Sequence, residues 1–157
     1  MEFSSLIQKI YEDDYLLIVE KPAGLVVDPA QTVKEETLSD ILTRDFGINL
    51  PRGGLVHRLD KDTSGILLVA KTLGALGNLQ NQFKERLVQK EYLALVHGLV
   101  TEPGRIEGSI GRNPGNREKF MVSRTGREAV TEYEPVEKCQ MSNFKCQMLF
   151  PDFNKIQ

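Results

Sequence analysis

Gly53-Gly54-Leu55-Val56-His57-Arg58-Leu59-Asp60-Lys61-Asp62-Thr63-Ser64-Gly65 runs directly into Ile66-Leu67-Leu68-Val69-Ala70-Lys71. Polar and ionisable side chains crowd the span between two apolar runs, and Gly65 marks its end. The short aliphatic run that follows reads as a buried strand. A polar loop seated on a strand is where a scaffold carries chemistry. The bland alternative is a very polar turn.

The neighbouring elements follow from pattern. Tyr15 to Val19 is a second buried strand, bounded by Asp13-Asp14 and by Pro22 and Gly24. Lys21-Pro22-Ala23-Gly24 is a turn, and Leu25 to Val27 resumes extended structure. Thr37 opens a helix, with Asp40 at capping-box spacing, an apolar stripe of Leu38, Ile41, Leu42 and Phe46, and Gly47 at its end. Thr72 caps a second helix with Leu73, Leu76, Phe83 and Leu87 on one side, weakened early by Gly74 and Gly77. Glu91 to Gly98 alternates as a strand, Tyr92, Ala94 and Val96 facing one way and Leu93, Leu95 and His97 the other. Residues 101–127 are rich in Gly, Pro and Arg and read mostly as loop around a hairpin. Val130 to Val136 and Phe144 to Phe150 read as strands. The class is therefore α+β, a mixed and largely antiparallel sheet with flanking helices.

Composition sets the bounds. A chain of 157 residues, 40% hydrophobic and 27% charged, suits one soluble domain spanning 1–157. The apolar runs Leu16 to Val19 and Ile66 to Ala70 are too short for a membrane helix. The N-terminus lacks the order of a signal peptide. Cys139 and Cys146 are too few for a disulfide framework and lack zinc spacing, so a reducing cytoplasm is the expected compartment. The net charge of −2 conceals an asymmetry. Residues 1–51 carry 4 basic and 10 acidic side chains, whereas residues 52–127 carry 13 and 7. The densest basic stretch, Arg105 to Arg127, is compatible with a polyanion partner or with a solvated loop.

Several generic chemistries fail on the residues. His57, Asp60 and Ser64 are triad types but lie too close in sequence. His97 is the only other histidine, and no metal-ligand spacing accompanies either. Gly111 to Asn116 lacks the ending of a phosphate loop, and no dinucleotide fingerprint occurs. What remains is a carboxylate, Asp60, beside Arg58, a cation that would favour its ionised form. An ionised carboxylate can serve as nucleophile or electrostatic stabiliser. A structural aspartate capping the turn before Ile66 is the competing reading.

The run His57 to Lys71 resembles the signature of the RluA-type pseudouridine synthases, His-Arg-Leu-Asp-x-x-Thr-Ser-Gly before an apolar strand and Ala-Lys. Three further segments are similar and in order. They are Leu16 to Pro29 with its Lys-Pro-Ala-Gly turn, Lys90 to Gly98, and Gly126 to Tyr133. The resemblance implies uridine isomerisation in ribosomal or transfer RNA, with no metal and no cofactor. It makes Asp60 the catalytic carboxylate, acting on the sugar or the base, and Tyr92 the aromatic that stacks on the extruded uracil. It also implies substrate contacts from His57, Arg58, Thr63, Ser64, Lys21, Arg112 and Arg127, with His57 ordering the loop.

The chain departs from the family pattern in two places. Asp28 stands where a histidine is common. Family members continue into a Thr-Gly-Arg-x-His-Gln-Ile-Arg segment that this sequence does not contain. The S4-like RNA-binding domain of some relatives is also expected to be absent, since the resemblance begins near Tyr11. A truncated, frameshifted or fragmentary member is the expectation, and a catalytically impaired RNA-binding remnant is the alternative function. An unrelated Asp-dependent hydrolase with a chance motif is a third reading. The loss of later strands would leave Phe144 to Phe150 at an exposed edge, open to association or prone to poor solubility.

Overall fold

A computed structural model describes residues 3–29, 35–116, 119–141 and 144–152; within them, the side chains of residues 3, 4, 97 and 137–152 are not described. The chain divides into two compact units, Met1–Leu87 and Val88–Gln157. Among the described residues no helix is long and apolar enough to cross a membrane.

The first unit is a three-stranded antiparallel sheet in the order β1 (Gln8–Glu12), β2 (Leu16–Lys21), β3 (Gly65–Ala70), with helices α1 (Leu38–Asp45) and α2 (Leu73–Lys84). The turn between β1 and β2 forms because the Asp13 carboxylate accepts the Tyr15 and Leu16 amides, both at 2.7 Å. Alternation along β2 buries Leu17, Val19 and Lys21 on one face. Their partners on β3 are Val69, Leu67 and Gly65. A lysine thus occupies the third inward position of a core strand, opposite a residue with no side chain. Leu25, Val27, Leu38, Ile41, Leu42, Leu55, Leu59 and Leu76 complete the core.

Both helix starts follow their sequence signals. The Thr37 side chain accepts the Asp40 amide while the Asp40 carboxylate accepts the Thr37 amide at 2.9 Å, a closed capping box. Thr72 accepts the Ala75 amide at 3.2 Å. Leu25 to Val27 joins no sheet. Its carbonyls serve α1 instead, Val26 accepting the Leu38 amide at 2.8 Å and Val27 the Ser39 amide at 3.1 Å. On α2 only Leu76 is buried. Leu73 and Leu87 are exposed, the first at the edge of the stripe and the second beyond the helix end.

The second unit is a five-stranded antiparallel sheet. Its strands are β4 (Ala94–His97), β5 (Gly104–Arg112), β6 (Phe120–Val122), β7 (Arg127–Met141) and β8 (Phe144–Asp152), in the order β4-β8-β7-β5-β6. Residues 101–127 contain the expected hairpin, β5 paired antiparallel with β6, but β5 is a long strand where loop was expected. Pairing with β7 overrides their composition: Gly104 lies opposite Tyr133, whose ring occupies the space a side chain at 104 would need. The strand expected from Glu91 begins only at Ala94. The expectation of an exposed Phe144 to Phe150 edge is also overturned, since β8 pairs with β4 on one side and β7 on the other. No described side chain of this unit is fully buried.

Two tests follow from local geometry. Hydrogen bonds from Thr37 hold the Asp40 carboxyl below its ordinary value of 3.8. A depressed carboxyl contributes stability above its unfolded pKa and loses it as pH falls through the folded one. Asp40→Ala should cost about 1 kcal/mol in urea unfolding at pH 7, and the cost should disappear in strong acid. A methyl group on Gly54 (φ +76°) would run into the Ala70 carbonyl and the Ile48 side chain. Gly54→Ala should therefore destabilise by about 3 kcal/mol. Gly74→Ala, in open helix, should stabilise by about 0.5–1 kcal/mol. Thermal or urea unfolding of the pair checks both signs.

Candidate active site

The polar stretch before β3 is built from its buried residues outward. Gly53 and Gly54 both adopt positive φ and press against α1 and β3, where no side chain fits. Leu55 then bridges to Val69 on β3. Leu55 and Leu59 are buried, so the chain between and after them is tethered at two apolar points. His57 adds a third tether. Its Nε2 accepts the Leu68 amide at 3.0 Å, and its ring stacks on Phe83 of α2 with centroids 4.7 Å apart and planes 18° from parallel. An Nε2 that accepts assigns the neutral ring proton to Nδ1. His57 thus joins the loop to β3 and α2 together.

Beyond Leu59 the chain turns, with the Thr63 amide donating to the Asp60 carbonyl at 3.1 Å. This turn docks on the Lys21-Pro22-Ala23-Gly24 turn. The Gly24 amide donates to the Lys61 carbonyl at 2.8 Å. The Lys21 ammonium donates to the same carbonyl at 2.9 Å, to the Leu25 carbonyl at 2.8 Å and to the Pro22 carbonyl at 2.9 Å. All three of its protons are used, and the side chain is 0% exposed. Burial pushes this ammonium below the ordinary lysine pKa, and the charges of Asp62 and Asp60 oppose that push.

Asp60 itself is exposed, and its carboxylate makes no hydrogen bond or ion pair with another described residue. The expected pairing with Arg58 is not formed. Both side chains project into solvent on either side of the buried Leu59, and exposed pairs gain too little to offset the ordering of two side chains. The cation whose charge does act with Asp60 is the buried Lys21. Ser64 is exposed and Thr63 half-buried. Gly65 leaves the loop at φ +137°, a conformation that favours glycine.

Sequence reasoning missed two participants. Arg52, itself at positive φ, donates from Nε to one Asp28 oxygen at 2.9 Å and from Nη2 to the other at 2.5 Å. This bidentate pair ties the end of the 22–28 segment to the turn entering the loop. The mismatch at Asp28 was its only visible signal. Asp62 falls at a position that the family signature leaves open, so the sequence assigned it no role.

The remaining candidates lie in the second unit. Tyr92 is half-buried, two residues before β4. Arg112 ends β5 with its guanidinium 4.2 Å from the centroid of the Phe120 ring, a cation–π contact, and Arg127 begins β7 opposite Ile110. Both arginines are exposed. Arg105 pairs with Glu107 at 2.5 Å and Glu132 at 3.5 Å. Arg117 and the His97 side chain lie outside the described residues.

Comparison with known proteins gives the family. The model of the RNA pseudouridylate synthase family matches residues 15–152. Ribosomal large subunit pseudouridine synthase D of Pseudomonas aeruginosa is 44% identical over 131 residues, covering 82% of this chain and 41% of that protein. The uncharacterized RNA pseudouridine synthase YlyB of Bacillus subtilis is 42% identical over 145 residues, covering 88% and 48%. Human RNA pseudouridylate synthase domain containing 1 superposes with a TM-score of 0.76 at 25% identity, over 93% of this chain and 58% of that one. The chain spans about two-fifths of the length of the first of these relatives. With a family model matched to residues 15–152, most of its length, this chain belongs to the RNA pseudouridylate synthase family.

Proposed function

We propose that the chain isomerises uridine to pseudouridine in RNA, with Asp60 as the catalytic carboxylate. The observation that carries this reading is the contrast within one loop. Every tether is buried or bonded, at Leu55, His57, Leu59 and Lys21, while the Asp60 carboxylate is exposed and unpaired among the described residues. A carboxylate tied into a turn as a cap would show the opposite pattern.

The reaction breaks the C1′–N1 bond of uridine, turns the uracil and joins C1′ to C5. The C5 proton leaves and N1 gains one, so no electrons are exchanged and no group is lost. Asp60 attacks or stabilises the electron-poor centre, at the sugar or at the base. Tyr92 supplies an aromatic face for the extruded uracil and a phenol near the C5 proton. Both units are read as parts of one catalytic domain. Ribosomal RNA is the preferred substrate because named relatives act on the large ribosomal subunit, with transfer RNA as the other candidate. The cytoplasm is the matching compartment.

His57 and Lys21 contribute to binding through the loop they hold. Arg58, Thr63 and Ser64 line its solvent side. Arg112 and Arg127 meet RNA phosphates from the second sheet, where Lys119 and Arg124 are also exposed. A second reading, RNA binding without turnover, is favoured by the second sheet, whose described side chains include none that is fully buried.

Release of tritium from C5-labelled uridine RNA tests the choice. The purified chain should release it and Asp60→Asn should not, with RNA affinity kept within about threefold. Binding without release by both proteins would select the second reading, and equal release by both would remove Asp60 from the chemistry. Arg112→Ala and Arg127→Ala should each weaken RNA binding at all sequences tested. Each should also lower the slope of log affinity against log salt by about one. An unchanged slope would place these side chains away from phosphate.

A further inference from the structure

The imidazole of His57 makes two contacts that answer differently to a proton. Its Nε2 accepts the Leu68 amide of β3 at 3.0 Å. A ring nitrogen accepts only through a free lone pair, and imidazolium has none, because both of its nitrogens are donors. Protonation must therefore break this bond and set two N–H groups against each other. The second contact is the stack on Phe83 of α2, with centroids 4.7 Å apart. A cation over an aromatic face is attracted to it, so this contact outlasts protonation. Leu55 and Leu59 hold the same loop by apolar burial, which no proton disturbs.

We propose that His57 is an acid-sensitive latch on the loop that carries Asp60. Neutral, the ring holds the loop to both β3 and α2. Protonated, it releases the Leu68 amide, stays on Phe83, and leaves the turn that begins three residues later without its hold on β3. The consequence for turnover rests on the reading of Asp60 as the working carboxylate. The latch itself is a property of the chain without RNA.

The charged groups on the elements around the ring are few. β3 carries no ionisable residue, and Lys71, just past its end, is engaged by Glu12 at 2.9 Å. α2 carries one, Lys84, exposed and next to Phe83, and the exposed Glu85 and Arg86 follow it. On the loop, Arg58, Asp60, Lys61 and Asp62 are all exposed, and Arg52 before it is paired with Asp28. Arg58 and Lys84 oppose a further positive charge, Asp60 favours one, and solvent screens all three. The amide bond to Nε2 therefore sets the sign, towards the neutral ring. A histidine of this kind adds stability above its unfolded pKa of about 6.5 and loses it as pH falls through the lower folded value.

The test is a nitrogen NMR titration of the full chain that follows the His57 ring and the Leu68 amide together, with His57→Gln assigning the ring signal. Both should move with one midpoint, below about 6.5. Below it, protection of the Leu68 amide, corrected for its intrinsic exchange rate, should fall by about tenfold or more while the β2–β3 ladder amides hold. In His57→Gln, whose side chain takes up no proton in this range, that loss should be absent. A Leu68 amide that does not titrate with His57, a midpoint above 6.5, or equal loss of protection across β2 and β3 would overturn the proposal. So would an acid loss at Leu68 that persists in His57→Gln. If His57→Gln does not fold, the titration of the unaltered chain decides alone, its ring signal assigned by its correlation to the Leu68 amide. Tritium release is the second readout. Its acid limb should share the His57 midpoint and be displaced in His57→Gln, and a limb unmoved by that change would contradict the latch. A latch that titrates in a chain without turnover would reject the isomerase reading and leave the latch standing.

Discussion

A single ammonium group with three backbone partners organises the candidate site. Lys21 ends a core strand on its inward face, where the pattern of β2 would otherwise place a hydrophobic side chain. Each carbonyl it binds belongs to a turn that has no regular ladder to pair with. Without the lysine, the Pro22 and Leu25 carbonyls would lose that donor, at a cost of about 1–3 kcal/mol for each one left unsatisfied, while the Lys61 carbonyl would keep the Gly24 amide. The lysine therefore replaces a ladder that the turns cannot form. Its bond to the Lys61 carbonyl joins segments 40 residues apart, from Lys21 to Lys61.

The rest of the loop follows the same logic of hidden tethers and exposed polar groups. Leu55 and Leu59 anchor it to the core, and His57 anchors it to β3 and α2 at once. Gly53 and Gly54 allow the backbone to lie where no side chain fits. The Arg52–Asp28 pair fixes the approach. Such a frame positions a carboxylate without spending the carboxylate's own hydrogen bonds. That is the condition for a group that must act on a ligand rather than on the protein.

Much of this was legible in the sequence. Alternation and short aliphatic runs located β2 and β3, because burial on one face forces period two. Threonines at 37 and 72 located both helix starts, because only a side-chain oxygen there can take an early amide. The polar loop and its central aspartate stood out by composition, and resemblance gave the chemistry. What composition could not show was pairing at a distance. Residues 104–112 look like a loop until Arg127 to Tyr133 lies beside them, and the extended run Leu25 to Val27 gives no sign that its carbonyls serve α1. The burial of Lys21 was equally hidden, since a lysine before a proline turn ordinarily faces water. Charge proximity misled at Arg58, which sits two residues from Asp60 in sequence and does not pair with it.

The central claim is that the carboxylate at position 60 engages the uridine itself. RNA carrying 5-fluorouridine tests it directly, because fluorine at C5 cannot leave as a proton does and the reaction should stall on the enzyme. Mass spectrometry of the digested chain should find the nucleotide on the peptide holding Asp60 and nowhere else. It should be missing from the Asp60→Asn protein. Attachment to Asp62 or to another carboxylate, or a chain that binds this RNA and carries no adduct at all, would contradict the account.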